Sequence, residues 1–337
     1  MIFPKFIKPG DTIGVTATSE GNGDEIHLRK HESAVSALTE KGYKIEETPD
    51  VRNDVNKRSA PKETRAKEFM DLVENDNIDV IITSRGGEFL LEILPYIDFE
   101  KVRKSPKWVQ GYSDTTGIGF CITTICDIAT IYGENFGSFG MRPWHKSISD
   151  SLEMLEGKKL ENENYDKYES EWQEEITGLE PINVTEDVEW KNARDEETIA
   201  MKGRLIGGCI DILHSIVGTR FDKVKEFCEK YKNDGIIWFF DNYELSSEEM
   251  IRTLWQFREA GWFNNCKGMI FGRTLTRKTN SDTSFEEAVM TIVKELKVPI
   301  IFDADIGHVS PQMPLINGAK VIIESNNGKG KIKFELK

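Results

Sequence analysis

The chain has 337 residues and a formal net charge of −14, with 38% hydrophobic and 30% charged residues. That length is long for a single core and predicts two domains, and the apolar share suffices to give each one a core. No Lys/Arg block offsets the negative charge, so the chain lacks the local positive charge that a phosphate backbone requires; this argues against nucleic acid as a partner.

The opening MIFPKFIKPGDTIGV has no basic region followed by a long apolar run, and no signal peptide is expected. No apolar stretch approaches bilayer length, so no membrane partner is expected either. Cys121, Cys126, Cys209, Cys228 and Cys266 lie in apolar segments without paired metal-ligand spacing. They read as reduced, buried thiols of a cytoplasmic protein, with neither a metal nor another cofactor called for.

In chain order, 11–16 (DTIGVT) reads as a strand and 28–41 as a helix, with Ala34, Val35 and Leu38 on one face. A helix over 64–74 and a strand at 79–83 follow, then a short helix at 90–96, a strand at 108–111, a helix at 115–126 and a strand at 128–132. Strands alternating with helices predict βαβ units and a parallel sheet, Rossmann-like or flavodoxin-like. Residues 146–197 are rich in Glu, Asp and Asn with weak periodicity, and read as a linker with an irregular substrate-side loop. Beyond it, strands at 201–205, 236–240, 269–271, 300–302, 321–324 and 331–336 alternate less strictly with helices at 209–217 and 284–296. Ser246 and Glu249 form a capping-box pattern before IRTLWQFREAG. The expected organisation is an N-terminal α/β domain at 1–145, the linker and loop at 146–197, and a mixed β-rich α+β domain at 198–337.

The stretch KWVQGYSDTTGIGFCITTIC places Ser113 on a sharp turn between a strand and a helix. A serine so presented suits an activated nucleophile, with helix-start amides beside it. Thr115 stands where the second glycine of G-x-S-x-G would be. Among five histidines, His27 and His31 are four apart on a helix and read as a solvated face, since no third metal ligand is near. His145 and His214 read as structural. His308 follows a buried strand in a loop stiffened by Gly307, Pro311 and Pro314, where catalytic groups are commonly carried.

An acid to orient that imidazole is offered by Asp241, at the end of the buried strand IIWFF, with Glu244 as the competing choice. In SRGGE, Gly86 and Gly87 follow a strand, so their backbone has no Cβ in the way of a close approach. The Gly87 amide, with that of Asp114 after the serine, would make an oxyanion hole. A phosphate loop is disfavoured because the spacing matches neither common glycine pattern.

Together these residues resemble the LD-carboxypeptidase family of serine peptidases, which includes the microcin C self-immunity proteins. The similarity runs through KPGDTIGVTATS, SRGGEFLLEILPYIDFE, GYSDTT, YGENF, GRLIGGCIDILHSIVGT, IIWFFD, GMIFGRT and GHVSPQMPLINGAKV. GYSD with a downstream GHxxP is the specific part. The resemblance implies a Ser-Glu-His triad divided between two domains, with Ser113 as nucleophile, His308 as general base, and Gly87 and Asp114 as oxyanion donors. Where the family has glutamate this chain has Asp241. The resemblance also implies a homodimer and one of two substrates, a muropeptide tetrapeptide met in peptidoglycan recycling or a peptidyl or aminoacyl adenylate. Glu134 and Asn135, with Trp172 and Trp190 of the long loop, are the expected substrate contacts, each indole being either a stacking platform or a loop anchor. The competing reading is a non-catalytic binding protein of the same fold that recognises a cell-wall peptide or a nucleotide-peptide.

Overall fold

Short apolar runs between helices set the architecture of the first part of the chain in the computed structural model, which describes residues 1–194, 196–274 and 281–336. Strands β1 (Thr12–Thr16), β2 (Lys44–Glu47), β3 (Val80–Thr83), β4 (Trp108–Gly111) and β5 (Thr130–Tyr132) lie parallel in the spatial order β5-β4-β3-β1-β2. Leu315–Asn317 adds an antiparallel strand beyond β5. This is the flavodoxin-type order, whose ligands bind at the carboxyl ends of the strands. Every residue of β3, β4 and β5 is buried, as strands covered on both faces require.

The β2 strand was not foreseen because KIEE is polar; it lies at the sheet edge, where charged side chains face water. The helix expected over 90–96 is instead two 3₁₀ turns, Leu90–Glu92 and Leu94–Tyr96. Pro95 has no N–H to give, so an α-helical ladder cannot run through it.

By contacts the chain divides into two units. The first comprises Met1–Lys159, Trp172–Asn183 and Pro314–Asn317; the second comprises Leu160–Glu171, Val184–Met313 and Gly318–Lys337. Residues 146–197, read from the sequence as linker and irregular loop, open with the helix Lys146–Leu155, capped by His145. Three of its burying residues, Ile148, Leu152 and Leu155, recur at helical spacing among polar neighbours, which masked the period. The strands Glu161–Glu163, Lys167–Tyr168, Glu186–Asp187 and Lys191–Asn192 follow.

The second unit is built on a mixed eight-stranded sheet. Its centre is four parallel strands in sequence order, Thr198–Cys209, Ile236–Asp241, Cys266–Gly272 and Ile300–Ala304. Antiparallel strands flank them: Lys320–Asn326, Lys329–Glu335 and Glu161–Glu163 on one side, Lys191–Asn192 on the other. The strand Ile236–Asp241 is buried throughout, and Trp238 stacks on Trp262 with ring centroids 5.4 Å apart. The helix Ser247–Glu259 packs Met250, Leu254 and Phe257 inward and begins with the expected capping box, in which Ser246 and Glu249 satisfy each other's amides.

Candidate active site

Ser113 directly follows Tyr112 at the carboxyl end of β4 and has φ +63°, a left-handed conformation that a serine rarely adopts. Such strain costs on the order of 1–3 kcal/mol and persists only where the surroundings enforce it. Here they do. Asn135 Oδ1 accepts from the Tyr112 N–H at 3.2 Å and from Thr83 Oγ1 at 2.9 Å. The Ser113 N–H donates to the Tyr132 hydroxyl at 3.5 Å. Gly111 is a steric necessity: a Cβ there would sit 2.2 Å from Thr83 Oγ1 and 2.7 Å from Asn135 Oδ1. Thr115, at the place of the missing second glycine, uses its hydroxyl to pair with Thr83 Oγ1 at 2.8 Å. The departure from G-x-S-x-G is therefore filled by a buried hydrogen bond that braces the turn.

The glycine loop after β3 comes against this serine. A Cβ on Gly86 would lie 3.0 Å from Ser113 Oγ. Gly87 has φ +145°, and a Cβ there would meet Ser19 Oγ at 2.5 Å. Asp114 ties the loop down, because its buried Oδ2 accepts from the Leu90 N–H at 2.9 Å. Burial pushes the Asp114 carboxyl up to about 6, with hydrogen bonds from Ser19 and the Leu90 amide working the other way. Glu134, just past β5, is also buried and is pushed up to about 7 by that burial.

The second unit carries the other candidates. Asp241 is fully buried at the end of its strand, and its Oδ2 lies 2.7 Å from His308 Nδ1. Its Oδ1 accepts from the His308 backbone N–H at 3.2 Å. Gly307 makes this approach possible: with φ +94°, a Cβ there would stand 1.8 Å from Asp241 Oδ1. Burial opposes a charge on the imidazole, but the Asp241 carboxylate, helped by Asp211, outweighs it and raises His308 above the ordinary histidine value.

Residues that the sequence reading did not single out hold this pair in place. Asp211 accepts from the Tyr243 and Glu244 backbone N–H groups, both at 2.9 Å, fixing the turn after Asp241. That turn sets the Tyr243 ring over His308, with centroids 4.5 Å apart. Asp305 anchors the start of the His308 loop, accepting from Trp190 Nε1 at 3.0 Å, from the Tyr165 N–H at 3.3 Å and from the Arg273 guanidinium. An acidic residue in the first turn of Ile210–Ile216 was the one visible signal for Asp211.

The expected residues thus divide. Ser113, Gly87, Asp114, Glu134, Asn135 and Trp172 belong to the first unit; Asp241, Glu244, His308 and Trp190 belong to the second. Glu244 is exposed and meets Asp211 through its backbone, whereas Asp241 is the carboxylate on His308. Trp190 is corrected: at 1% exposure, with its indole N–H on Asp305, it is a loop anchor. Trp172 is 56% exposed. The solvated His27–His31 face is also corrected, since His31 is buried between Asn22 (3.1 Å) and Glu47 (3.1 Å).

Comparison with known proteins places this geometry in context. Residues 13–133 match the model of the LD-carboxypeptidase N-terminal domain, and residues 202–323 match that of the LD-carboxypeptidase C-terminal domain. The microcin C7 self-immunity protein MccF of Escherichia coli is 25% identical, over 94% of this chain and 92% of that protein. A Bacillus subtilis (strain 168) protein named "Probable murein peptide carboxypeptidase" is 23% identical, over 98% of this chain and 97% of its own. A solved structure of MccF in complex with aspartyl sulfamoyl adenosine has the same fold, with TM-score 0.83 at 23% identity and 99% coverage of both chains.

Proposed function

The chain belongs to the LD-carboxypeptidase family of serine peptidases, and from that premise we propose that it hydrolyses a peptide-like amide by acyl transfer to Ser113. His308 Nε2 takes the Ser113 proton as the oxygen attacks the carbonyl, while Asp241 holds the Nδ1–H tautomer and the imidazolium that forms. The Gly87 and Asp114 amides carry the oxyanion, in the manner of paired donors that act on developing charge. The imidazolium then protonates the leaving nitrogen, and water, deprotonated by the same base, releases the acyl group. The observation that carries this reading is the left-handed φ of +63° at Ser113, strain spent on a hydroxyl at the carboxyl edge of a parallel sheet.

For the substrate, the reading is an aminoacyl or peptidyl group joined to a nucleotide-like partner. MccF, the E. coli relative, has been solved with such a ligand, and Trp172 offers an exposed indole for stacking. Glu134 and Asn135 are proposed to line the acyl side. A second reading, removal of the terminal residue of a muropeptide tetrapeptide in peptidoglycan recycling, is favoured by the murein peptide carboxypeptidase relative. Mostly buried cysteine thiols suit a reducing cytoplasm, and the family resemblance supports a homodimer; cell fractionation and sedimentation velocity test these two points.

Incubating the enzyme with an aminoacyl sulfamoyl adenosine and, separately, with a muropeptide tetrapeptide, then reading products by mass spectrometry, tests the assignment. Cleavage of the nucleoside conjugate supports the first reading and loss of terminal alanine the second. Turnover of neither removes both.

A further inference from the structure

Three ligand-type atoms converge in the second unit where acyl transfer uses only two. The Cys209 thiol, an Asp241 carboxylate oxygen and a His308 ring nitrogen all lie within 4.8 Å of one another. Cys209 ends its strand as the register partner of Asp241 on the neighbouring parallel strand, so the sheet itself fixes their spacing. Both are buried, and His308 is 12% exposed. Nothing in the reaction described above needs the thiol.

We propose that Cys209, Asp241 and His308 form a capture site for a thiophilic divalent cation, Zn²⁺ or Cd²⁺, and that its occupancy switches the enzyme off. One sulfur, one nitrogen and one oxygen donor suit these ions and not Mg²⁺ or Ca²⁺, which prefer oxygen alone. Around a tetrahedral zinc such donors stand about 3.3–3.6 Å apart. The 2.7 Å contact between Asp241 and His308 therefore opens slightly as the thiol closes in. Charge also balances: capture adds the dication and releases the thiol proton, so the unit of metal, Cys209 thiolate and Asp241 carboxylate goes from one negative charge to none. The Cys209 S–H donates to Asp211 Oδ2 at 3.3 Å, a contact given up when the metal takes the place of that proton.

Without metal, the thiol is buried and holds its proton in the hydrogen bond to Asp211. Coordination replaces the S–H bond with a metal–sulfur bond and releases one proton to solvent, with no change of oxidation state. Ligation through Nδ1 moves the imidazole proton to Nε2. The lone pair that would accept the Ser113 proton is then gone, and this is how capture stops turnover. The inhibitory half of the proposal rests on the acyl-transfer reading; the binding half does not.

The test uses the intact wild-type protein beside Cys209→Ala and Cys209→Ser. CdCl₂ titration follows the near-ultraviolet thiolate-to-cadmium absorption, and ZnCl₂ titration follows turnover, with MgCl₂ as control. The wild type is expected to develop the absorption at one equivalent and to lose turnover to Zn²⁺ reversibly, with recovery on adding EDTA. Each variant keeps basal turnover, lacks the absorption, and needs about tenfold more Zn²⁺ or higher for the same inhibition. Equal Zn²⁺ sensitivity in wild type and variants, or no absorption in the wild type, overturns the site. A wild type that binds Cd²⁺ but hydrolyses no substrate leaves the site standing and removes the acyl-transfer reading instead.

Discussion

Asp241 holds His308 at two points: its Oδ2 lies 2.7 Å from the ring Nδ1, and its Oδ1 accepts from the backbone N–H at 3.2 Å. One carboxylate therefore fixes both the orientation of the imidazole and the position of the loop that carries it. A glutamate, one methylene longer, is what the family resemblance led us to expect at this place; the aspartate reaches because Gly307 leaves its side unobstructed.

Replacing the acid separates the two candidate carboxylates. Asp241→Asn presents an amide to Nδ1 and favours the wrong tautomer, so kcat is expected to fall by about 10³–10⁴-fold with circular dichroism unchanged. Glu244→Gln, at an exposed side chain, is expected to stay within about twofold. The reverse pattern in parallel assays would transfer the role to Glu244.

The pH profile follows from the charge beside His308. Catalysis needs the neutral imidazole, and the Asp241 carboxylate, with Asp211, raises its pKa against the opposing effect of burial. The acid limb of kcat/KM is therefore expected above 6.5, the ordinary histidine value, and to move down when Asp241 loses its charge. The same shift supplies stability that is complete below pH 6.5 and disappears as pH rises through the raised value. An acid limb at or below 6.5 in the wild type contradicts this.

Gly307→Ala probes the approach of acid to base. The new Cβ would overlap Asp241 Oδ1 at 1.8 Å, on a backbone with φ +94°. Displacing the pair by even about 1 Å is expected to cost on the order of 10²-fold in kcat. Wild-type turnover in this variant would mean that the pair is not used.

The two indoles of the long loop are expected to behave oppositely. Trp172→Ala, at an exposed ring, should raise KM for a nucleoside-bearing substrate about tenfold while leaving the melting temperature unchanged. Trp190→Ala empties a buried site and strands Asp305, so thermal or urea unfolding should show a loss of about 3–5 kcal/mol. A Trp190 variant of normal stability and altered KM would reverse the assignment.

Much of this was legible in the sequence where chemistry coincides with a strand end. WVQG running into a serine turn, and IIWFF ending in an aspartate, announce buried strands with a hydroxyl and a carboxylate at their carboxyl edges. The capping box of Ser246 and Glu249 was equally plain, because both partners are local. What stayed hidden depends on distant backbone. Asp211 acts on amides 32 and 33 residues away, and Asp305 accepts from an indole 115 residues earlier. Trp190 sits in a polar run, so nothing local distinguishes a buried anchor from an exposed platform. The left-handed turn at Ser113 depends on Asn135 and Thr83, which only the packed sheet brings beside Tyr112 and Thr115.

The central claim is that Ser113 is an activated nucleophile, and labelling with a serine-directed fluorophosphonate tests it most directly. One equivalent of label is expected on the wild type, mapped by mass spectrometry to Ser113, with no label and no turnover in a folded Ser113→Ala protein. Full turnover in Ser113→Ala, or label placed on another residue, would contradict it.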